Sequence, residues 1–124
     1  MKKIAYFLPA LLFYALIFLV SSRSLGFSMP GHWLDKVPHA LVYTAMGFLL
    51  SLGFFHVVQS SALLTVLLTF LSGALLGALD ESHQRFVRGR VSDPKDAAAD
   101  AVGVALGIAV YLYWQRKKGR PQAA

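Results

Sequence analysis

The sequence predicts an all-α polytopic membrane protein, a bundle of four transmembrane helices. Three observations predict it. Four apolar runs, Ile4–Val20, Ala40–Phe55 (fading out by Val58), Ala62–Leu79 and Ala97–Trp114, carry no charge over most of their length. Each approaches the span of about 17–25 helical residues that crosses a hydrocarbon core of roughly 30 Å. The charges are segregated. Lys2, Lys3, Arg116, Lys117, Lys118 and Arg120 lie near the termini, and all six acids lie between Arg23 and Lys36 or between Asp80 and Asp100. Finally, 56% of the residues are apolar, and a soluble fold would have to bury four nearly uniform apolar helices in a short chain. The runs are unbroken rather than alternating, so helices rather than barrel strands satisfy the backbone.

The expected helices span about 4–22, 37–58, 62–84 and 94–115. Helix one begins near Ile4, tolerates Pro9 in its second turn and ends at Ser21-Ser22-Arg23-Ser24-Leu25-Gly26. It is longer than a signal-peptide apolar region of about 7–15 residues, so it is expected to stay uncleaved despite the small-residue site Val20-Ser21-Ser22. Pro30-Gly31 marks a turn. Asp35 can cap helix two, with Pro38 in the first turn, where a missing N–H costs little. Gln59-Ser60-Ser61 is short and uncharged, so helices two and three should form an antiparallel hairpin. Helix three is expected to continue past Leu79 through Gln84, before Gly89 breaks the chain. Asp93-Pro94, with Asp96 behind, reads as the capped start of helix four, which ends at Trp114 and a basic anchor. Gly73-x-x-x-Gly77 and Gly103-x-x-x-Gly107 would let backbones approach closely, pointing to contact between helices three and four.

The formal net charge of +6 suggests juxtamembrane anchoring to anionic lipid rather than nucleic-acid binding, for which there is no motif. With no cysteine, there is no disulfide or thiolate chemistry. The Lys/Arg count is tied between the two sides, but Lys2-Lys3 outweigh Arg23 at the first helix. That places both termini in the cytoplasm and the polar face outside.

Four crossings bring both polar segments to the same side of the bilayer. Asp35-Lys36-x-x-His39 opens helix two, with Asp35 and His39 stacked one turn apart. Taken alone, this segment reads more simply as a helix cap with a histidine at the headgroup level. In Asp80-Glu81-x-His83-Gln84, residues 80, 83 and 84 share a face and Glu81 lies about 100° round the axis. Asp80 and His83 could contribute to a metal site, or Glu81 could act as a base oriented by Gln84; a charged helix end paired with Arg85 and Arg88 explains the same residues equally well. Asp96 and Asp100 lie on one face with Gly103 beneath. An acid followed by a full apolar run is expected to be paired, protonated or functional. Arg85, Arg88 and Arg90 could grip an anion, or neutralise Asp80, Glu81, Asp93 and Asp96 together with Lys95.

Glu81-x-x-Gln84, Asp96, the position of Asp100 and Gly103 together resemble the VanZ-like family of membrane proteins. The resemblance includes Ser21-Ser22, Asp35-Lys36-x-x-His39, Gly47, Gly77 ahead of Asp80-Glu81, and Gly89-Arg90, and it covers nearly the whole chain as one domain, 1–124. At the position of Asp100 the family often has Asn. The family is named for a protein associated with low-level resistance to the glycopeptide teicoplanin, and its molecular activity is unassigned. The resemblance implies a multi-pass protein of the bacterial inner membrane with an envelope or glycopeptide-related role.

The leading expectation is a non-transporting protein that binds or protects an envelope component, a lipid-linked precursor or a glycopeptide, at the outer face. Its ligand-binding candidates are Asp35, Lys36, Gln84, Arg90, Asp96 and Asp100; its standing partner is the lipid bilayer, with no nucleic acid, metal or cofactor. The alternative is a membrane-embedded hydrolase or transferase acting on a lipid-linked headgroup. There Glu81 or Asp80 would be the base, His83 or His39 the proton carrier or metal ligand, and Arg90 the anion clamp. A proton pathway through Asp100 is a third class, supported by a single acid.

Overall fold

Helix α3 is built inside out. Its buried residues are Thr65, Thr69, Gly73, Gly77, Asp80, Glu81 and Gln84, a stripe recurring every three or four positions, while Leu63, Leu64, Leu67, Leu71, Leu75 and Leu79 are exposed. Such a helix is not folded by burying its leucines away from water. It suits a medium in which leucine already has an apolar neighbour and small or polar residues make the helix–helix contacts.

The computed structural model describes residues 3–21, 36–86 and 94–118. One 3₁₀ turn (Ile4–Phe7) leads into α1 (Leu8–Ser21), followed by α2 (Val37–Val57), α3 (Ala62–Gln84) and α4 (Pro94–Lys117). The described residues are all-helical apart from short connections. Helices α2, α3 and α4 are long and apolar enough to cross a membrane, and Ile4–Val20 forms a shorter apolar helix. The chain is thus a multi-pass α-helical membrane protein.

Pro9 was expected in the second turn of a helix from Ile4. Instead α-helical bonding begins at Leu8, and the preceding turn is 3₁₀. Proline lacks the N–H for an i→i−4 bond and its ring crowds the carbonyl four residues back, which favours the tighter turn ahead of it. Pro38 sits in the first turn of α2 as expected. Ser61 caps α3, its hydroxyl accepting from the Leu64 N–H at 3.0 Å. The expected caps Asp35 and Asp93, the Pro30-Gly31 turn and the break at Gly89 lie outside the described residues.

Glycine sets the helix packing, and the expected contact between α3 and α4 is present, but it is made by only one of the two glycine pairs. Gly73 and Gly77 do face α4, against Val104 and Asp100. The second pair, Gly103 and Gly107, faces α2, pressed on the carbonyls of Ala40 and Thr44. A Cβ on Gly107 would also stand 2.7 Å from the Phe48 nitrogen, so α2 and α4 pack backbone to backbone. Around this seam lie Tyr43, Met46, Leu50, Val104 and Ile108, all buried. The first helix is peripheral. Ala10 is its buried residue, the Tyr14 hydroxyl donates to the Leu76 carbonyl at 3.2 Å, and Phe7 meets Phe54 edge to face at 4.9 Å.

Candidate functional site

The starts of α2 and α4 and the end of α3 meet at one end of the bundle. Asp96 and Asp100, one turn apart on α4, point at α2, because Gly103 on the same face brings the two helices into contact. The Lys36 Nζ lies 2.7 Å from Asp96 Oδ1. One turn later His39 turns Nδ1 to Asp100 Oδ1 at 3.1 Å and Nε2 toward Asp96 Oδ2 at 3.7 Å. The two carboxylates are almost fully enclosed, at 6% and 0% side-chain exposure. Buried carboxylates persist only when partnered, and here the partners Lys36 and His39 come from across the chain, on and just ahead of α2.

Helix α3 adds Asp80, Glu81 and Gln84, all buried. Gln84 Nε2 donates to Asp80 Oδ2 at 3.2 Å. Glu81 lies inside with Asp80 and Gln84, whereas His83 is only partly buried and stacks its ring on Phe18 of α1, at 4.3 Å between centroids. The face expected for residues 80, 83 and 84 is therefore turned. At about 100° per residue, Gly77 falls between Asp80 and Glu81, and Gly77 is the residue held against α4. A Cβ there would stand 2.8 Å from the Asp100 Cβ and 3.1 Å from its Oδ2.

Among the buried polar atoms here, Asp80 Oδ1, Asp100 Oδ2 and the Tyr43 hydroxyl have no hydrogen-bond partner among the described residues. Two of these residues, Asp80 and Tyr43, line a half-open cleft of about 270 Å³ between α1, α2 and α3. Phe13, Leu16, Ile17 and Val20 form its α1 wall; Pro38, His39 and Val42 join Tyr43 on α2, and Gln84 joins Asp80 on α3. The cleft is therefore apolar along one side and polar at its head.

Of the residues singled out from sequence, Lys36, His39, Asp96 and Asp100 form one hydrogen-bonded and ionic cluster, and Asp80, Glu81 and Gln84 stand beside it on α3. His83 faces α1 instead. Asp35 and Arg90 lie outside the described residues, as do Arg88 and Asp93. Among the described residues, no three His, Asp or Glu side chains are grouped to hold a metal ion. Sequence reasoning missed Tyr43 and the α1 wall. A signal existed for Tyr43: it is a hydroxyl within an apolar run, one turn beyond His39. None existed for the wall, since α1 is apolar on every side.

A bundle with three membrane-length helices, a shorter apolar one and a buried polar cluster at one end defines a small multi-pass membrane protein. Residues 1–115 match the family model described as VanZ/LLP1, and the chain belongs to that family. No curated protein and no solved structure matches it.

Proposed function

We propose that this VanZ/LLP1 protein is a binding protein of the bacterial inner membrane, a single domain with both termini in the cytoplasm, which holds a lipid-linked component of the cell envelope at its outer face. The observation that carries the reading is the cleft itself, an apolar wall on α1 leading to His39, Tyr43, Asp80 and Gln84. Ligand sites characteristically pair apolar lining with a few convergent polar groups, and this one opens beside helices that face lipid. Its polar head adjoins Lys36, Asp96 and Asp100.

Pockets that enclose a drug-sized molecule run to about 300–1,000 Å³. At about 270 Å³, the cleft suits a chain and a small head. A whole glycopeptide does not fit, so a role in teicoplanin resistance would run through the bound envelope component rather than through capture of the antibiotic. The enzymatic alternative is weaker in this geometry, because His39 turns both ring nitrogens to Asp96 and Asp100. Neither is then directed at a molecule in the cleft.

The test is lipid and cell-wall-precursor profiling of a deletion strain complemented with the wild-type chain or with Asp80→Asn, which alters a residue lining the cleft. Accumulation or loss of one lipid-linked species, restored by wild type and not by the variant, is expected. Identical profiles in all strains would contradict the reading.

A further inference from the structure

Resting on the binding role just proposed, we infer that the cleft between α1, α2 and α3 takes one hydrocarbon chain of an amphiphile whose head is a primary ammonium seated on Asp80.

The chain end follows from the α1 wall. Leu16 and Val20 line the cleft yet are 54% and 46% exposed, so that side opens toward the space lipid occupies, and a chain can enter laterally. The volume of the cleft limits it to one chain.

The head follows from which charges are already matched. Asp96 and Asp100 face Lys36 and His39. Asp80, 3% exposed, accepts from the neutral Gln84 amide through Oδ2, while Oδ1 has no partner among the described residues. The Tyr43 hydroxyl, in a residue 1% exposed, is likewise without one. Both residues line the head of the cleft. A buried carboxylate is costly unless a charge or donor meets it. A primary ammonium has three donors and no acceptor, which suits a site whose lining offers Asp80 Oδ1 and the Tyr43 oxygen without partners among the described residues. A quaternary ammonium offers the same charge without donors. A carboxylate head would bring a second negative charge against Asp80.

The probes are dodecylamine, dodecyltrimethylammonium and dodecanoate, each titrated against the full chain in nanodiscs and corrected for partition into empty ones. Dodecylamine is expected to bind at least about tenfold more tightly than either of the others. Asp80→Asn and Leu16→Trp should each weaken it about tenfold, while Leu71→Trp, on the lipid-facing side of α3, should not. The three-probe comparison uses the wild-type chain, so it stands even if a variant fails to fold. Equal binding of the amine and the trimethylammonium compound, or undiminished amine binding by folded Asp80→Asn, would overturn the inference. Equal binding of all three that Leu16→Trp abolishes would leave the envelope-binding role standing and remove only the ammonium head. Binding of none of them would count against both.

Discussion

His39 on α2 and Asp100 on α4 lie 3.1 Å apart, Nδ1 to Oδ1, across 61 positions of sequence. The contact explains how an acid comes to sit in α4 just ahead of an unbroken apolar run. Asp100 has no exposure to solvent; it is enclosed by His39 on one side and the bare backbone of Gly77 on the other. His39 in turn lines the cleft, so the enclosed acid fixes a residue that a bound molecule would meet.

Asp100→Asn is expected to be tolerated and Asp100→Leu is not. Asn keeps an oxygen or an amide at the His39 nitrogen within nearly the same volume. Leu leaves the imidazole facing a hydrocarbon, and a stranded buried polar partner costs about 1–3 kcal/mol. Heat stability in detergent and expression level of the two variants decide it. A stable Leu variant beside a collapsed Asn variant would mean that the carboxylate charge itself is needed.

Gly107→Ala should destabilise the bundle more than Gly73→Ala. The added methyl at 107 meets the Thr44 carbonyl and the Phe48 backbone nitrogen, whereas at 73 it meets the side-chain methyls of Val104. Side chains rotate away, but two packed backbones must separate, and overpacking costs about 1–3 kcal/mol. The comparison is between melting temperatures of the two single variants. Equal losses would show that the α2–α4 seam is no tighter than the α3–α4 one.

Topology can be read by labelling, because the native chain has no cysteine. With both termini in the cytoplasm, Ser60→Cys in the α2–α3 connection is expected to resist an impermeant maleimide in spheroplasts and to react after permeabilisation. Phe86→Cys, just past α3, should react in intact spheroplasts. The reverse pattern would place the polar cluster at the cytoplasmic face.

Much of the bundle was legible because length and charge are one-dimensional. α2, α3 and α4 end at Val57, Gln84 and Lys117 against expected ends near 58, 84 and 115. Convergence of His39, Gln84 and Asp96 toward one end also followed from an even number of crossings. The rotation of each helix about its axis did not. In a soluble helix the apolar stripe marks the inside, but in α3 leucine marks the outside, and Gly73 and Gly77 are the better guide. Read that way, the burial of Glu81 and the outward turn of His83 were available from spacing alone. The partnership of Gly103 and Gly107 with α2 was not, since glycine spacing names a close approach without naming the neighbour. Nor was the Lys36–Asp96 pair, because nearer bases in sequence offered equally plausible partners.

The central claim is that the α1–α2–α3 cleft holds a selected amphiphile, and site-specific photocrosslinking in living cells tests it most directly. A photoreactive aliphatic residue close to leucine in size, a diazirine analogue, replaces Leu16 in the cleft or, in a second strain, Leu71, which is 60% exposed on α3. Both positions lie among lipids, so both yield lipid adducts that mass spectrometry can identify. The account predicts one species strongly enriched at Leu16 over its share of the membrane, and adducts at Leu71 that mirror the bulk lipids. The same bulk profile at both positions would contradict it.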